Sequence, residues 1–302
     1  MNLLHLKYVV EVARTGSITQ AADNLYMGQP NLSKAIRELE ANLGITIFNR
    51  TPKGVIPTKM GEEFLQHARA ILLQVREIEN LYGPAREENQ MRFQILVPRD
   101  ASVAYTFGEF IAGLDAEKSM QVDFRASSAE TSIERIVDGE NTMGIIRHLL
   151  TQTPYFTNQL KEKGLESETL RTLSYQLTLS RKSPLAKKKS ITNEDIAEYI
   201  EIISGHALEQ ILILETKESK SELSTKRWIS ANEWAGQLEI LSTLPNAFLW
   251  TAPLPEEIQA RYGLIQKDWK QQELIAQDVL VYPKGYRLTE LERTFVETLR
   301  EL

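Results

Sequence analysis

Cysteine is absent from the 302 residues. That excludes disulfides, thiolate zinc sites, iron–sulfur clusters and a cysteine nucleophile. Long apolar runs are missing too: Lys7 and Glu11 interrupt the first apolar stretch, and no window approaches the roughly 18 apolar residues of a membrane helix. The expectation is a soluble, cytoplasmic chain with no signal peptide and no membrane partner. The four histidines, His5, His67, His148 and His206, fall in four separate segments without H-E-x-x-H spacing. No two glycines stand two apart, so G-x-G-x-x-G is lacking; Gly108/Gly113 and Gly139/Gly144 are not followed by Gly-Lys, and no serine sits in G-x-S-x-G. No catalytic residue, metal or cofactor is expected, and the reading is against an enzyme.

The charge that is present is unevenly placed. Taken as an average, the net charge of −6 argues against a polyanionic partner. Residues 1–60, however, carry a net +3, leaving −9 for the remainder. A basic module is attached to an acidic body.

The basic module reads as three short helices. Leu4, Tyr8, Val9, Val12 and Ala13 share one helical face, ended by Thr15-Gly16. Ser17, with Gln20 three residues on, opens a second helix to about Leu25. Gly28-Gln29-Pro30 starts a third, whose Leu32, Ile36, Leu39 and Leu43 follow helical spacing until Gly44. Its opposite face carries Gln29, Ser33, Lys34 and Arg37. Two short helices joined by a tight turn, the second presenting such donors from its N-terminal half, match the docking geometry of a helix-turn-helix on DNA. The run from Arg50 to Pro57 then reads as a hairpin with a basic tip, Arg50 and Lys53, placed as a wing would be.

Thr58 caps a long helix over 59–82. Phe64, Ala68, Ile71, Val75 and Ile78 form a stripe that needs a partner, either the same helix of a second subunit or the chain's own core. A position directly after a DNA-binding module favours dimerisation, because two half-sites multiply specificity. Gly83-Pro84 breaks the helix. From Met91 the pattern becomes β/α alternation, with strands expected at 93–97, 121–126, 143–146, 173–180, 199–204, 248–251 and 279–282, and helices at 103–114, 131–137, 211–214, 231–240 and 289–302.

The segments Ala13-Arg-Thr-Gly-Ser-Ile-Thr-Gln-Ala-Ala22, Gln29-Pro30, Leu32-Ser33, Leu39-Glu40, Leu43-Gly44, Ile47-Phe48-Asn49-Arg50 and Thr58-Lys-Met-Gly61 resemble the winged helix-turn-helix of LysR-type transcriptional regulators. Ser183-Pro184-Leu185-Ala186 and the strand–turn–helix at 279–300 resemble the same family's effector-binding region. The resemblance implies an α+β chain. A winged helix-turn-helix DNA-binding domain over 1–58 is followed by a dimerisation linker helix and hinge over 59–90. A two-subdomain α/β effector-binding domain like periplasmic binding proteins then occupies 91–302. The implied function is sequence-specific, effector-modulated transcription regulation, the alternative being a constitutive DNA-binding protein without an effector. Implied partners are promoter double-stranded DNA, a small molecule, a second copy of the chain as homodimer or homotetramer, and RNA polymerase. Gln29, Pro30, Ser33 and Lys34 stand at the family's DNA-contacting positions and Arg50 and Lys53 at its wing; Ser17 and Arg37 join this set. Departures are Gly28 for the usual serine, Pro57 for leucine, Thr142 for aspartate, and no glycine-rich segment around 244–246.

Ligands in α/β sensors sit at strand ends, among loops and helix N-termini. That rule nominates Arg99, Ser102, Ser127, Ser128, Arg147, Ser204 and Gly205. An arginine facing the cleft would favour an anionic effector. Trp234 and Trp250 read as core.

Overall fold

The computed structural model describes residues 1–52, 54–82, 90–115, 119–204, 225, 227–269 and 274–302. Lys53, Gly205 and the helix expected at 211–214 lie outside the described residues.

The head begins with α1 (Leu3–Thr15), α2 (Ile18–Asn24) and α3 (Gln29–Leu43). Asn2 caps α1 by accepting from the His5 amide at 2.9 Å, and Gly16 ends it at φ 62°. Ser17 caps α2 through the Gln20 amide. Pro30 sits in the first turn of α3, where its missing N–H costs no helical bond. Val9, Val12, Ala21, Ala22, Leu32, Ile36 and Leu39 form one buried core with Ile47, Phe48 and Leu65. Each large aliphatic side chain buried there contributes about 1.5–3 kcal/mol.

The wing is the antiparallel pair β1 (Phe48–Thr51) and β2 (Gly54–Pro57). It is tied to the α1–α2 turn by the Val55 amide, which donates to the Gly16 carbonyl at 2.8 Å. Only glycine fits at 54: its φ is 127°, and a Cβ there would lie 2.6 Å from that carbonyl. Glu40 anchors the wing's base, accepting from the Ile47 and Phe48 amides at 2.7 and 3.2 Å. Next comes α4 (Lys59–Tyr82), whose Thr58 hydroxyl accepts from the Gly61 amide at 2.9 Å. A Cβ on Gly61 would stand 2.0 Å from the Ile47 carbonyl oxygen, so the helix starts pressed against the wing.

Beyond the linker the described residues form two five-stranded sheets. The first contains β3 (Gln90–Val97), β4 (Ser119–Ala126), β5 (Gly144–Leu149), β6 (Leu165–Ser174) and β12 (Ile275–Pro283), in the order β4-β3-β5-β12-β6. β12 runs antiparallel to both neighbours and the rest of this sheet's described pairs are parallel. Helices α5 (Ala101–Ala112), α6 (Ala129–Val137) and α7 (Thr153–Glu162) cover it. Phe93, Phe107, Phe110, Phe124 and Phe295 fill one side, with Phe93 meeting Phe295 edge to face at 5.5 Å. The second sheet has the order β11-β7-β10-β8-β9, made of β7 (Gln176–Ser180), β8 (Ile200–Ile203), β9 (Trp228–Ser230), β10 (Ala247–Thr251) and β11 (Leu264–Lys267).

The strand expected at 173–180 is two strands. The chain leaves the first sheet at Tyr175 and returns after β11, and the Tyr175 amide donates to the Leu274 carbonyl at 2.8 Å where the crossings meet. The expectation missed most of β6 because Leu165–Ser174 is an edge strand, polar along most of its length, with only Leu170 and Leu173 fully buried. It also missed α7, which buries only Phe156 and Leu160, the helix Glu256–Tyr262, and β11.

The linker helix rests on the first lobe. Gln66 Nε2 donates to the Glu162 carbonyl at 2.9 Å, and Arg69 faces Asp138 at 3.8 Å. Burial lowers the Arg69 pKa and raises that of Asp138, each opposed by the charge of the other.

Candidate nucleic-acid interface and ligand cleft

Two surfaces carry the predicted site residues. On the head, Gln29, Pro30, Lys34 and Arg37 are exposed along the first half of α3. Lys34 meets Glu38 at 3.8 Å, an exposed i,i+4 pair worth a few tenths of a kcal/mol and easily exchanged for a phosphate. Arg37 Nε donates to the Ser33 carbonyl at 3.3 Å. Ser33 lies differently from expectation: it is 5% exposed, and its hydroxyl accepts from Arg50 Nη2 at 2.9 Å. The wing folds back against α3 there, so Ser33 orients Arg50 where an exposed phosphate donor was anticipated. Ser17 is half-buried and its hydroxyl serves as the α2 cap.

The sequence reading missed Tyr26. It is 98% exposed, with φ 52°, in the short turn before α3. A non-glycine residue in the left-handed region is uncommon, and the four-residue gap between the helices was the available signal.

The predicted self-association stripe divides. Phe64 packs on the head core and Ala68 is buried within the chain. Ile71 and Ile78 are 40% and 57% exposed, with Val75 half-buried between them. The inner half of the stripe has its partner in this chain; the outer half presents apolar surface.

The second surface is a cleft of about 290 Å³ where the two lobes meet. Arg99, Asp100 and Ala101 come from the loop and helix start after β3; Tyr175 comes from the crossing; Glu201 to Ser204 come from β8 and the residue after it; Trp250 and Thr251 come from the end of β10. Trp234, Gln237 and Leu238 of the helix Trp234–Thr243, with Leu249 and Leu254, complete the lining. Strand ends and helix starts thus converge, as an open α/β sheet arranges them. Of the nominated effector residues, Arg99 and Ser204 line the cleft. Trp234 and Trp250, expected in the core, are half-buried on its walls.

The other nominated residues are engaged in the lobe itself. Ser102 is fully buried and donates to Asp100, which also caps α5 through the Ser102 and Val103 amides. The Ser127 and Ser132 hydroxyls meet at 2.5 Å, and Ser128 caps α6 through the Thr131 amide at 3.2 Å. Arg147 is buried between two carboxylates. Its Nη1 donates to Asp100 at 2.5 Å, and its Nε and Nη2 donate to Asp278 at 2.6 and 2.8 Å. Arg171 adds a fourth bond, to Asp278 at 2.8 Å. Burial works against these charges, yet the pairing overcomes it: the Arg147 charge, with hydrogen bonds from Ser102, Arg147 and Val103, holds the Asp100 carboxyl below its ordinary pKa, and Asp100 and Asp278 hold Arg147 well above its own. Burial raises the Tyr175 phenol, opposed in part by Arg147. Of the two arginines nominated to face the cleft, Arg147 is a neutralised part of the lobe's interior and Arg99 lines the cleft.

At Glu201, burial pushes the carboxyl up to about 7, and a hydrogen bond from Trp250 draws it back only in part. No group of three or more metal-ligating side chains occurs among the described residues, and no described helix is long and apolar enough to cross a membrane.

Helix-turn-helix, wing and linker helix form a head joined to a two-lobed α/β body with a cleft between its lobes. Residues 3–62 match the family "Bacterial regulatory helix-turn-helix protein, lysR family". AlsR of Bacillus subtilis, an HTH-type transcriptional regulator, is 32% identical over 199 residues, covering 65% of this chain and 62% of its own. The Hca operon transcriptional activator HcaR of Escherichia coli is 31% identical over 205 residues, 64% of this chain and 61% of that protein. The matched stretch therefore spans less than two thirds of either relative. ArgP from Mycobacterium tuberculosis superposes with a TM-score of 0.62 at 17% identity, covering 98% of this chain and 95% of that one. Full-length LysG from Corynebacterium glutamicum, solved with bound effector Arg, gives 0.61 at 14% identity, covering 100% and 97%. These two show the shared fold along the whole chain. The head, residues 3–62, is thus a helix-turn-helix domain of the lysR family, and the chain as a whole is similar to regulators of that kind.

Proposed function

We propose that the chain is a sequence-specific DNA-binding transcription regulator whose activity responds to a small molecule in the inter-lobe cleft. The observation that carries this is the face of α3: Gln29, Lys34 and Arg37 exposed together, with Arg50 held beside them by Ser33. Gln pairs with adenine edges, Lys reads guanine, and arginines hold phosphates. The cleft favours an effector over the constitutive alternative, since it gathers polar and aromatic side chains at strand ends. Binding there would shift the population of two lobe arrangements, limited by the ligand's differential affinity for them.

The test is selection of genomic fragments by the full chain, followed by thermal shift against a broad metabolite panel. Recovery of a dyad-symmetric site with two half-sites supports the reading; uniform recovery of all sequences overturns sequence specificity, and a panel without a single stabilising compound overturns the sensor role. For self-association, Ile71→Asp places a charge on the exposed half of the α4 stripe and should yield monomers in sedimentation. An unchanged assembly assigns the interface elsewhere.

A further inference from the structure

We propose that the cleft selects a small ligand carrying a protonated amine, which Glu201 receives while Trp234 and Trp250 contact its body. This rests on the cleft being the effector site. It reverses the sign of charge that the sequence had led us to expect.

The argument starts by accounting for the cations. Arg147 has three donor nitrogens on Asp100 and Asp278, and Arg171 is also on Asp278. The two arginines and two aspartates balance in charge, and although Arg171 Nη2 has no hydrogen-bond partner among the described residues, neither arginine is part of the cleft lining. Arg99 is the remaining cation of the lining; it is exposed, where water screens its charge.

The carboxylates divide the other way. Asp100 is neutralised from behind by Arg147. Glu201, the second residue of β8, has no ion pair among the described residues, and its side-chain hydrogen-bond partner there is Trp250. An ionised carboxylate accepts at about four lone-pair sites, so one indole donor leaves most of its capacity unused. Trp250 is held edge to face against Phe248 and Trp269, at 5.9 and 5.2 Å, so its ring is fixed.

An anionic group placed beside Glu201 would meet a like charge in a partly desolvated site. An ammonium there gains a charge-assisted hydrogen bond and the attraction of indole faces. The raised carboxyl of Glu201 shows the same imbalance from the protein's side: its charge is under-compensated until a cation arrives. Leu238, Leu249 and Leu254 accept an apolar body, and about 290 Å³ limits it to a small one.

The experiment titrates the full chain with matched probes, benzylamine against benzoate and tryptamine against indole-3-propionate, by calorimetry and tryptophan fluorescence. The expected result is millimolar or tighter binding of the amines alone, weakened at least about tenfold by Glu201→Gln and less by Glu201→Asp. The proposal is overturned if neither amine binds, if Glu201→Gln binds them as the parent does, or if the carboxylates bind in preference. Carboxylate binding would still leave the cleft as a sensor. DNA selection with Glu201→Gln verifies that the head is intact, and thus separates failure of the amine from failure of the regulator reading.

Discussion

The head and the sensor lobe use the same residue types in opposite ways. On α3 and the wing, cations stand in water: Lys34 is held only by a long exposed pair, and Arg50 by a neutral serine. In the first lobe Arg147 and Arg171 are buried against Asp100 and Asp278, so that their charge serves the fold. A surface that is to meet a polyanion has to keep cations exposed and lightly held, since affinity comes from replacing counterions. A lobe that is to enclose a small molecule has to settle its own charges first, because an uncompensated buried ion costs more than most contacts return.

The sharpest way to break this contrast is Arg147→Ala. Removing the central cation leaves Asp100 and Asp278 facing each other across the vacated site, at a cost of about 3–5 kcal/mol. Chemical denaturation should show that loss in the sensor, with the head's helices melting as before; a loss under 1 kcal/mol would mean that water replaces the guanidinium.

Lys34→Ala is the counterpart on the head. Unfolding should shift by less than about 0.5 kcal/mol, since the side chain is exposed. Discrimination at one base pair should fall by about 1–3 kcal/mol if the amine reads a base edge. Equal weakening on every DNA sequence, measured by anisotropy, would assign it to a phosphate.

A further contrast is a pH dependence at Glu201. Its carboxyl titrates near 4.5 when unfolded and near 7 in the native cleft, so between those values the native state holds a proton that the unfolded chain has released. Stability contributed by this group therefore falls as pH rises from about 4.5 to 7 and is level above. Glu201→Gln should flatten that slope in thermal melts, and its advantage over the parent should grow across the same window.

The head was legible in the sequence because its signals are local. Caps, glycine stops and helical spacing gave α3 and α4 their limits, and both helices have the expected bounds. The faces were less legible. Helical spacing put Ser33 with Lys34, and only the folded wing, bringing Arg50 from 17 residues away, covers it. In the sensor, the partner of Arg147 is 131 residues distant, and nothing near Arg147 in sequence announces Asp278. Glu201 reads as an ordinary polar residue alternating with Ile200 and Ile202. Its importance comes from where β8 lies, beside a helix and a strand that arrive later in the chain.

The order of the first sheet also governs how the protein can be made. β12 lies between β5 and β6, yet it follows every other described strand in chain order. Until it arrives, β6 has no neighbour, while the second sheet's strands are all already available. The second lobe is thus a complete insertion inside an unfinished first one, and an emerging chain should close it first. A chain truncated near residue 270 would keep its DNA-reading head and its inserted lobe. The first lobe would be left split down the middle, its aromatic core open to solvent for want of Phe295.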